Sequence, residues 1–433
     1  MEPIQIREFG SFITGKEVDG YKTLPPHIFQ QLREFILTNR NKDTDALEIM
    51  SLSARKDVGE VITAKNYVGI ITLHDGTTIE ILPKIHSAIE DDENGTRTKR
   101  LLIDMLKTLR NSPYKNLQTS SVNIERMNIF EVFIRMFVDE VFFIVKRGLK
   151  CDYETIEENT KFFKGKMKFS QQIKFNHSHK ERSYVEYDAY TVNRPENRLL
   201  KATLLYLFKH SKSSRNKNDI KTLLNIFSEV EASTDFKSDF EKYVPDRNMK
   251  DYTTALLWSR VFLTGKSFTS FSGSEIALAL LFPMETLFES YVAALLKKHL
   301  TPMGYSVSAQ DKSYYLFDDP KRFAMRPDIV IRRKSDSAIF IMDTKWKILS
   351  DSKANYGISQ ADMYQMYAYQ KKYNAENVTL LYPQTEKLMP DSKIEFISQD
   401  NVTVKIQFLD LFSIQDSITS IADDLAEYQP QLS

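Results

Sequence analysis

The most restrictive stretch of the chain lies between Arg326 and Lys345, where two short apolar runs, Ile329-Val330-Ile331 and Ala338-Ile339-Phe340-Ile341-Met342, flank a polar centre. Runs this short, rich in β-branched residues and separated by turn formers, pair as an antiparallel hairpin. A two-residue turn at Ser335-Asp336 sets Asp328 opposite Asp343, with their Cβ atoms about 5 Å apart. Lys345, two residues beyond Asp343, points to the same face by strand alternation. The order is P-D, an interval, then D-x-K.

Two carboxylates side by side at the end of an apolar hairpin repel one another, and burial raises the pKa of at least one unless a cation is bound. Mg²⁺, with Mn²⁺ as a substitute, resolves that conflict, because it takes oxygen ligands, keeps several waters and shares a substrate phosphate. The chemistry implied is phosphodiester hydrolysis, with the metal acidifying a water and Lys345 orienting the nucleophile or stabilising developing charge. Such a pattern arises by chance roughly once in several chains of this length. Asp351-Ser352-Lys353, Pro245-Asp246 and Pro390-Asp391 are rivals. Context separates them, since Asp343-Thr344-Lys345 ends an apolar strand whereas Asp351-Ser352-Lys353 sits among polar turn formers. The competing reading is an exposed hairpin end with a surface ion pair between Asp343 and Lys345.

Two further features bear on that choice. Ser359 can cap a helix running to Tyr373, with Asp362 as a short-armed capping-box partner, and Gln365 and Tyr369 share one face of it. A Q-x-x-x-Y helix after a D-x-K strand resembles a subset of P-D-(D/E)-x-K nucleases. Glu289 lies at the edge of the apolar stripe Leu287, Phe288, Tyr291, Val292, Leu295 and Leu296, where it can reach a metal or its waters; Glu285, one turn earlier, is its competitor.

The rest of the chain reads as a multidomain α/β and α+β protein. With 433 residues, two or three domains are expected. Residues 1–120 form a β-rich region whose clearest element is a hairpin turning at Asp75-Gly76 and ended by Pro83. The acidic stretch 91–95 reads as a solvated loop. Residues 121–268 are mainly helical and stalk-like, with one helix closing at Gly148 and another opening at Pro195. Residues 269–433 carry Ile276–Phe282 as a buried strand, a helix opened by Pro283, and alternating strands and helix. The acidic tail from Asp410 reads as a solvated helix or fraying end.

Several function classes drop out. Lys plus Arg (59) balances Asp plus Glu (58), so no global field draws the chain to nucleic acid or an anionic membrane. Cys151 is the sole cysteine, which excludes an internal disulfide and multi-cysteine metal sites and suits a reducing cytoplasm. No apolar run is long enough for a membrane helix. The segment Gly10 to Glu17 matches a phosphate loop until Glu17, where a Ser or Thr is needed, and Gly265-Lys266-Ser267 lacks the first glycine. His177-Ser178-His179 has no accompanying ligands and reads as a polar loop.

Taken in order, Ile79-Glu80-Ile81-Leu82-Pro83-Lys84-Ile85, Pro195-Glu196-Asn197-Arg198-Leu199-Leu200-Lys201, Leu287-Phe288-Glu289-Ser290-Tyr291-Val292, Pro327-Asp328 and Asp343-Thr344-Lys345 resemble the McrC-like nuclease subunits of McrBC-type modification-dependent restriction systems. The resemblance implies a C-terminal PD-(D/E)xK-type nuclease domain with a central mixed sheet flanked by helices. It implies a Mg²⁺-dependent DNA endonuclease that cuts double-stranded DNA. An McrB-like AAA+ GTPase hexamer is the implied partner; it binds the GTP, receives the N-terminal and helical portion, and is stimulated. Asp328, Asp343 and Lys345 match the nuclease triad, with Glu289 and Gln365 placed by local pattern. The implied metal ligands are Asp328, Asp343, the Thr344 backbone carbonyl and Glu289. The alternatives are a non-catalytic adaptor that only regulates the motor and a stand-alone repair nuclease of the Q-x-x-x-Y group.

Overall fold

The structure is a computed structural model that describes residues 3–38, 40–41, 44–45, 49–73, 75–85, 96–109, 128–243, 249–264, 277–384 and 394–427. The acidic stretch 91–95, Gly265-Lys266-Ser267, Ile276 and the rival pairs at 245–246 and 390–391 lie outside these residues. The protein is mixed α/β with several sheets and divides into two compact units, Met1–Ile129 with Ser267–Ser433, and Phe130–Lys266.

In the first unit, Asp75 accepts a hydrogen bond from the Thr77 amide (2.8 Å), and the turn closes the antiparallel hairpin of strands Tyr67–Leu73 and Thr78–Leu82. Pro83 follows directly, where a ladder donor is lost. Strand Ile4–Arg7 joins one edge in parallel, and strand Ala277–Pro283 pairs antiparallel with Tyr67–Leu73 on the other. That second pairing depends on Gly69, whose φ is +133° and whose Cβ, if present, would stand 2.0 Å from the Leu280 carbonyl oxygen. Gly69→Ala is therefore expected to lower stability by about 2 kcal/mol or more, read from denaturant midpoints. An unchanged midpoint would show that the two strands do not approach so closely.

Glu80, the second residue of the Ile79–Ile85 motif, is fully buried. It pairs with Lys99 (2.8 Å) and accepts from the Ile129 amide (2.8 Å) and Gln5 (3.1 Å). A buried carboxylate so satisfied is a structural anchor.

The C-terminal part of this unit is a six-stranded mixed sheet. Its strands are β1 (Tyr305–Ala309), β2 (Ile329–Arg333), β3 (Ile339–Thr344), β4 (Asn377–Pro383), β5 (Ile394–Ile397) and β6 (Thr403–Leu409), in the order β1-β2-β3-β4-β6-β5. The β3/β4 and β4/β6 pairs are parallel and the others antiparallel. All of β4 is buried, as suits a mainly apolar strand in a parallel setting. Three helices complete this part: α1 (Met284–Leu300), α2 (Gln360–Tyr373) and α3 (Ile414–Glu427). Helix α2 connects the parallel strands β3 and β4; Ser359 caps it by accepting from the Asp362 amide (3.1 Å), and Asn374 ends it in the left-handed region. Its Met366, Tyr369 and Tyr373 pack on Val330, Ile341, Val378 and Leu380.

The acidic tail is a helix, one of the two forms expected, but it is packed on one face rather than wholly solvated. It forms α3, a packed helix whose Ile414, Ile418, Ile421, Ala422 and Leu425 are buried while Asp416, Asp423, Asp424 and Glu427 face solvent. The apolar residues recur with the helical period, which a tally of charge overlooks.

The second unit holds the expected helices, among them Pro195–His210, Ser214–Ile226 and Lys250–Thr264, and Gly148 (φ 86°) closes Ile129–Arg147. It is not purely helical. Strands Asp152–Thr160 and Ser183–Thr191 form a long antiparallel ribbon, joined by Lys166–Met167. The ribbon escapes sequence reading because Asp152–Thr160 is largely exposed and polar, although Val185, Tyr187 and Ala189 of its partner strand do alternate with Glu186 and Asp188. Asn197 fastens its base: fully buried, it donates to the Lys150 and Val192 carbonyls (3.0 and 2.7 Å) and accepts from the Tyr252 hydroxyl (2.9 Å). His177 and His179 are exposed, the latter beside Glu181 (3.2 Å).

Candidate active site

Strands β2 and β3 pair Ile329 with Met342, Val330 with Ile341, Ile331 with Phe340 and Arg332 with Ile339. Asp328, the residue just before β2, lies beside Asp343, the residue after Met342 on β3. The register is the one expected, but the turn is longer than the two residues Ser335-Asp336. Arg333 and Ala338 close a loop over residues 334–337 (Arg333 N to Ala338 O, 2.9 Å), with Ser337 at φ 63°. The extra residues are added symmetrically, so the pairing is unchanged. Arg333 and Asp336 brace the loop at 2.7 Å.

Asp343 is 2 % exposed, and Lys345 Nζ stands 2.6 Å from its Oδ2. That contact is ionic and poorly directed, because the same oxygen has no aligned hydrogen-bond donor. Lys345 Nζ also lies 3.7 Å from Asp362 on α2. Asp328 Oδ2 accepts from both the Thr344 amide and the Thr344 hydroxyl at 2.8 Å. Its Oδ1 accepts from Gln310 Nε2 (3.3 Å), which also donates to Glu289 Oε1 (2.7 Å). Glu289, on α1, is thereby brought to Asp328. Glu285 instead accepts from Asn66 (2.6 Å). Gln365 is exposed on α2 and donates to the Tyr369 hydroxyl (2.8 Å), so its described partner is the tyrosine rather than a carboxylate.

Electrostatics follow from this packing. Burial, then the charge of Glu289, raises the Asp328 carboxyl against the pull of Thr344 and Lys345. Burial, then Asp328, raises Asp343 against the pull of Lys345. Burial opposes the charge on Lys345, but Asp343, Asp362 and Asp328 outweigh it and hold the ammonium above its ordinary value. Burial, with the charge of Asp343, pushes the Tyr369 phenol up to about 12. Two buried carboxylates that repel each other, one of them with an undirected oxygen, are a hard-oxygen donor set that suits a divalent cation. Among the described residues no three of His, Cys, Asp and Glu gather closely enough to hold a metal by themselves. Mg²⁺ can be held by one or two carboxylates, with water and substrate phosphate completing its shell.

Three participants have no signal in the sequence: the Thr344 side chain, Gln310, and the support behind Lys345. Trp346 Nε1 lies 3.2 Å from both oxygens of Glu8, and its ring meets Phe288 edge-on at 5.3 Å, next to Glu289. Glu8 also accepts from the Lys84 amide (2.9 Å). Glu8 is 1 % exposed, and burial pushes its carboxyl up to about 7.

A family described as McrBC 5-methylcytosine restriction system component matches residues 62–383, a span that contains Asp328, Asp343 and Lys345. Among solved structures, a chain of the refined half-complex from the tetradecameric assembly of Thermococcus gammatolerans McrB AAA+ hexamers with bound McrC is 18% identical with a TM-score of 0.66. The similarity covers 98% of this chain and 100% of that one. A chain of the cryo-EM structure of the Thermococcus gammatolerans McrBC complex is 19% identical with a TM-score of 0.47, over 69% of this chain and 88% of that one. No curated protein matches. The first likeness speaks for the fold over nearly the whole length, and the family match spans both the N-terminal hairpin and the aspartate pair. The chain belongs to the McrBC 5-methylcytosine restriction system component family.

Proposed function

We propose that this chain is the Mg²⁺-dependent DNA endonuclease subunit of a GTP-dependent restriction complex, cutting double-stranded DNA with a PD-(D/E)xK-type site. The observation that carries the reading is the Asp328 carboxylate, held by Thr344 just before β2, beside Asp343 at the end of β3, with Lys345 Nζ 2.6 Å from the latter. Asp328, Asp343 and the Thr344 carbonyl would hold the cation, with Glu289 reaching it through its waters; when bound it supplies charge neutralisation at the phosphodiester and acidification of the attacking water. Thr344 fixes the Asp328 carboxylate through two donors. Lys345, kept cationic by its acidic neighbours, orients the nucleophile and stabilises charge as the phosphorus centre becomes pentacovalent. Gln365 steadies Tyr369 behind Asp343.

Target choice and translocation are assigned to an McrB-like AAA+ GTPase hexamer, which binds the GTP and whose hydrolysis this chain stimulates. The fold likeness to a chain from an assembly of McrB hexamers with bound McrC supports that partner. The second unit also exposes Phe162, Phe163, Phe169 and Ile173, large apolar side chains of the kind that protein contacts cover. No described helix is long and apolar enough to cross a membrane; with DNA as substrate, we place the complex in the cytoplasm.

The test mixes the chain with its GTPase partner, GTP, Mg²⁺ and a plasmid carrying 5-methylcytosine. Linear product is expected only when all components are present, and EDTA should abolish it. Stimulated GTPase without cleavage would favour the adaptor, and cutting by the chain alone without nucleotide would favour the stand-alone nuclease.

A further inference from the structure

Between β1 and Asp328 the chain makes a detour. Strands Tyr315–Asp318 and Lys321–Ala324 form an antiparallel ribbon in which Tyr315, Phe317 and Asp318 pair with Ala324, Arg322 and Lys321. Its root is fastened to α2: the Met325 amide donates to the Tyr314 carbonyl (2.9 Å), the Tyr314 ring lies 4.4 Å from that of Tyr373, and Asp318 meets Lys372 at 2.6 Å. Beyond the root, every residue from Leu316 to Ala324 is exposed. Leu316, Phe317 and Phe323 are 43, 57 and 72 % exposed, and the two phenylalanine rings meet edge-on at 6.0 Å. A two-stranded ribbon this open gains little for the fold from its apolar side chains, so their place is explained by something that covers them.

The charges along the same stretch say what that is. Asp311 is taken up by Arg332 (3.7 Å) and the Tyr373 hydroxyl (3.0 Å), and Asp318 by Lys372. Lys312, Lys321, Arg322 and Arg326 are exposed, and none of them pairs with a carboxylate among the described residues, where Asp319 at the turn is the acid left over. A chain with a net charge of only +1 thus gathers unpaired cations on the segment that leads into Asp328. Ala324 is four residues from Asp328, a reach of at most about 14 Å. We infer that the ribbon Tyr315–Ala324 is an arm that grips duplex DNA beside the cutting site. This rests on the nuclease reading proposed above and names an element that holds the substrate. A two-stranded ribbon fits the major groove, Lys321 and Arg322 meet phosphates, and Phe317 and Phe323 offer rings to the bases. A neutral protein surface would cover the rings but leave the cations unanswered.

The experiment measures binding of the full-length chain to a short fluorescent DNA duplex by anisotropy, in EDTA so that nothing is cut, over a series of salt concentrations. The double variant Lys321→Gln with Arg322→Gln is expected to bind about tenfold more weakly, with a slope of log affinity against log salt shallower by about two. Phe323→Gly, which suits the left-handed backbone there (φ 57°), should weaken binding by about fivefold and leave the slope unchanged. All three side chains are exposed, so melting temperatures should stay at the wild-type value. Equal affinity and slope in the double variant, or no binding by the wild type, would overturn the inference. Phe323→benzoylphenylalanine, irradiated in the complete mixture with the GTPase, GTP and labelled DNA, should form an adduct with DNA; an adduct with the GTPase or with a second copy of this chain instead would also overturn it. Since the binding arm of the test uses no metal, its failure is distinct from absence of plasmid cleavage, which would sink the nuclease reading.

Discussion

Replacing Asp343 by Asn is expected to reduce DNA cleavage by the assembled complex on the order of a thousandfold or more while the partner's GTPase stimulation is retained. Asparagine keeps the shape of a side chain that is 2 % exposed, so the strand end should stay packed. It removes the charge that would hold a cation and the partner of Lys345 Nζ at 2.6 Å. Much of the stability should survive, because one of two mutually repelling buried carboxylates is neutralised and Lys345 still has Asp362 at 3.7 Å. Cleavage rates, GTP turnover and melting temperature measured on the same preparation separate the possibilities. Full cleavage by a folded variant would remove the nuclease assignment, and loss of GTPase stimulation with normal melting would mean that this strand end serves the motor.

Glu8→Gln is expected to raise stability at pH 8 and to leave it unchanged near pH 4. The folded state holds the Glu8 proton up to about 7, chiefly because of burial, whereas the unfolded chain releases it near 4.5. Between those values the native protein carries the proton that the unfolded chain has lost, so the wild type loses stability as pH rises through the window; the loss is complete above it. The difference corresponds to about 3 kcal/mol. Glutamine keeps an acceptor for Trp346 and the Lys84 amide but does not titrate. The melting-temperature gap between variant and wild type should therefore open from about pH 5 upward and level off above pH 7. A gap that is flat with pH would show that Glu8 is not buried as a carboxyl. Because Trp346 follows Lys345 and packs on Phe288, next to Glu289, this contact also ties the N-terminal region to both sides of the site.

The hairpin register, the Ser359 cap and the helix opened by Pro283 were readable because each depends on a few adjacent residues: apolar spacing, a turn, a cap, a missing amide. The turn length between β2 and β3 was not, since two loop lengths give the same register. The ribbon Asp152–Thr160 with Ser183–Thr191 was missed because its first strand is polar and largely exposed, although the second carries the alternation Val185, Tyr187, Ala189 that could have revealed it. The packed face of the tail helix was missed because net charge says nothing about the period of the apolar residues between the charges.

The candidate site divides in the same way. Local pattern determined which carboxylates and which lysine share a strand pair, since alternation and register alone set Asp328, Asp343 and Lys345 on one face. The fold decided the rest: that Glu289 rather than Glu285 meets Asp328, that Gln310 joins them, and that Glu8 reaches Trp346. It also set Ala277–Pro283 beside Tyr67–Leu73, across the whole inserted middle of the chain. Backbone geometry propagates side-chain direction over a handful of residues, so short-range spacing records it. Which distant segments then close on one another is chosen by the burial of apolar surface summed over the entire domain, and no window of sequence contains that sum.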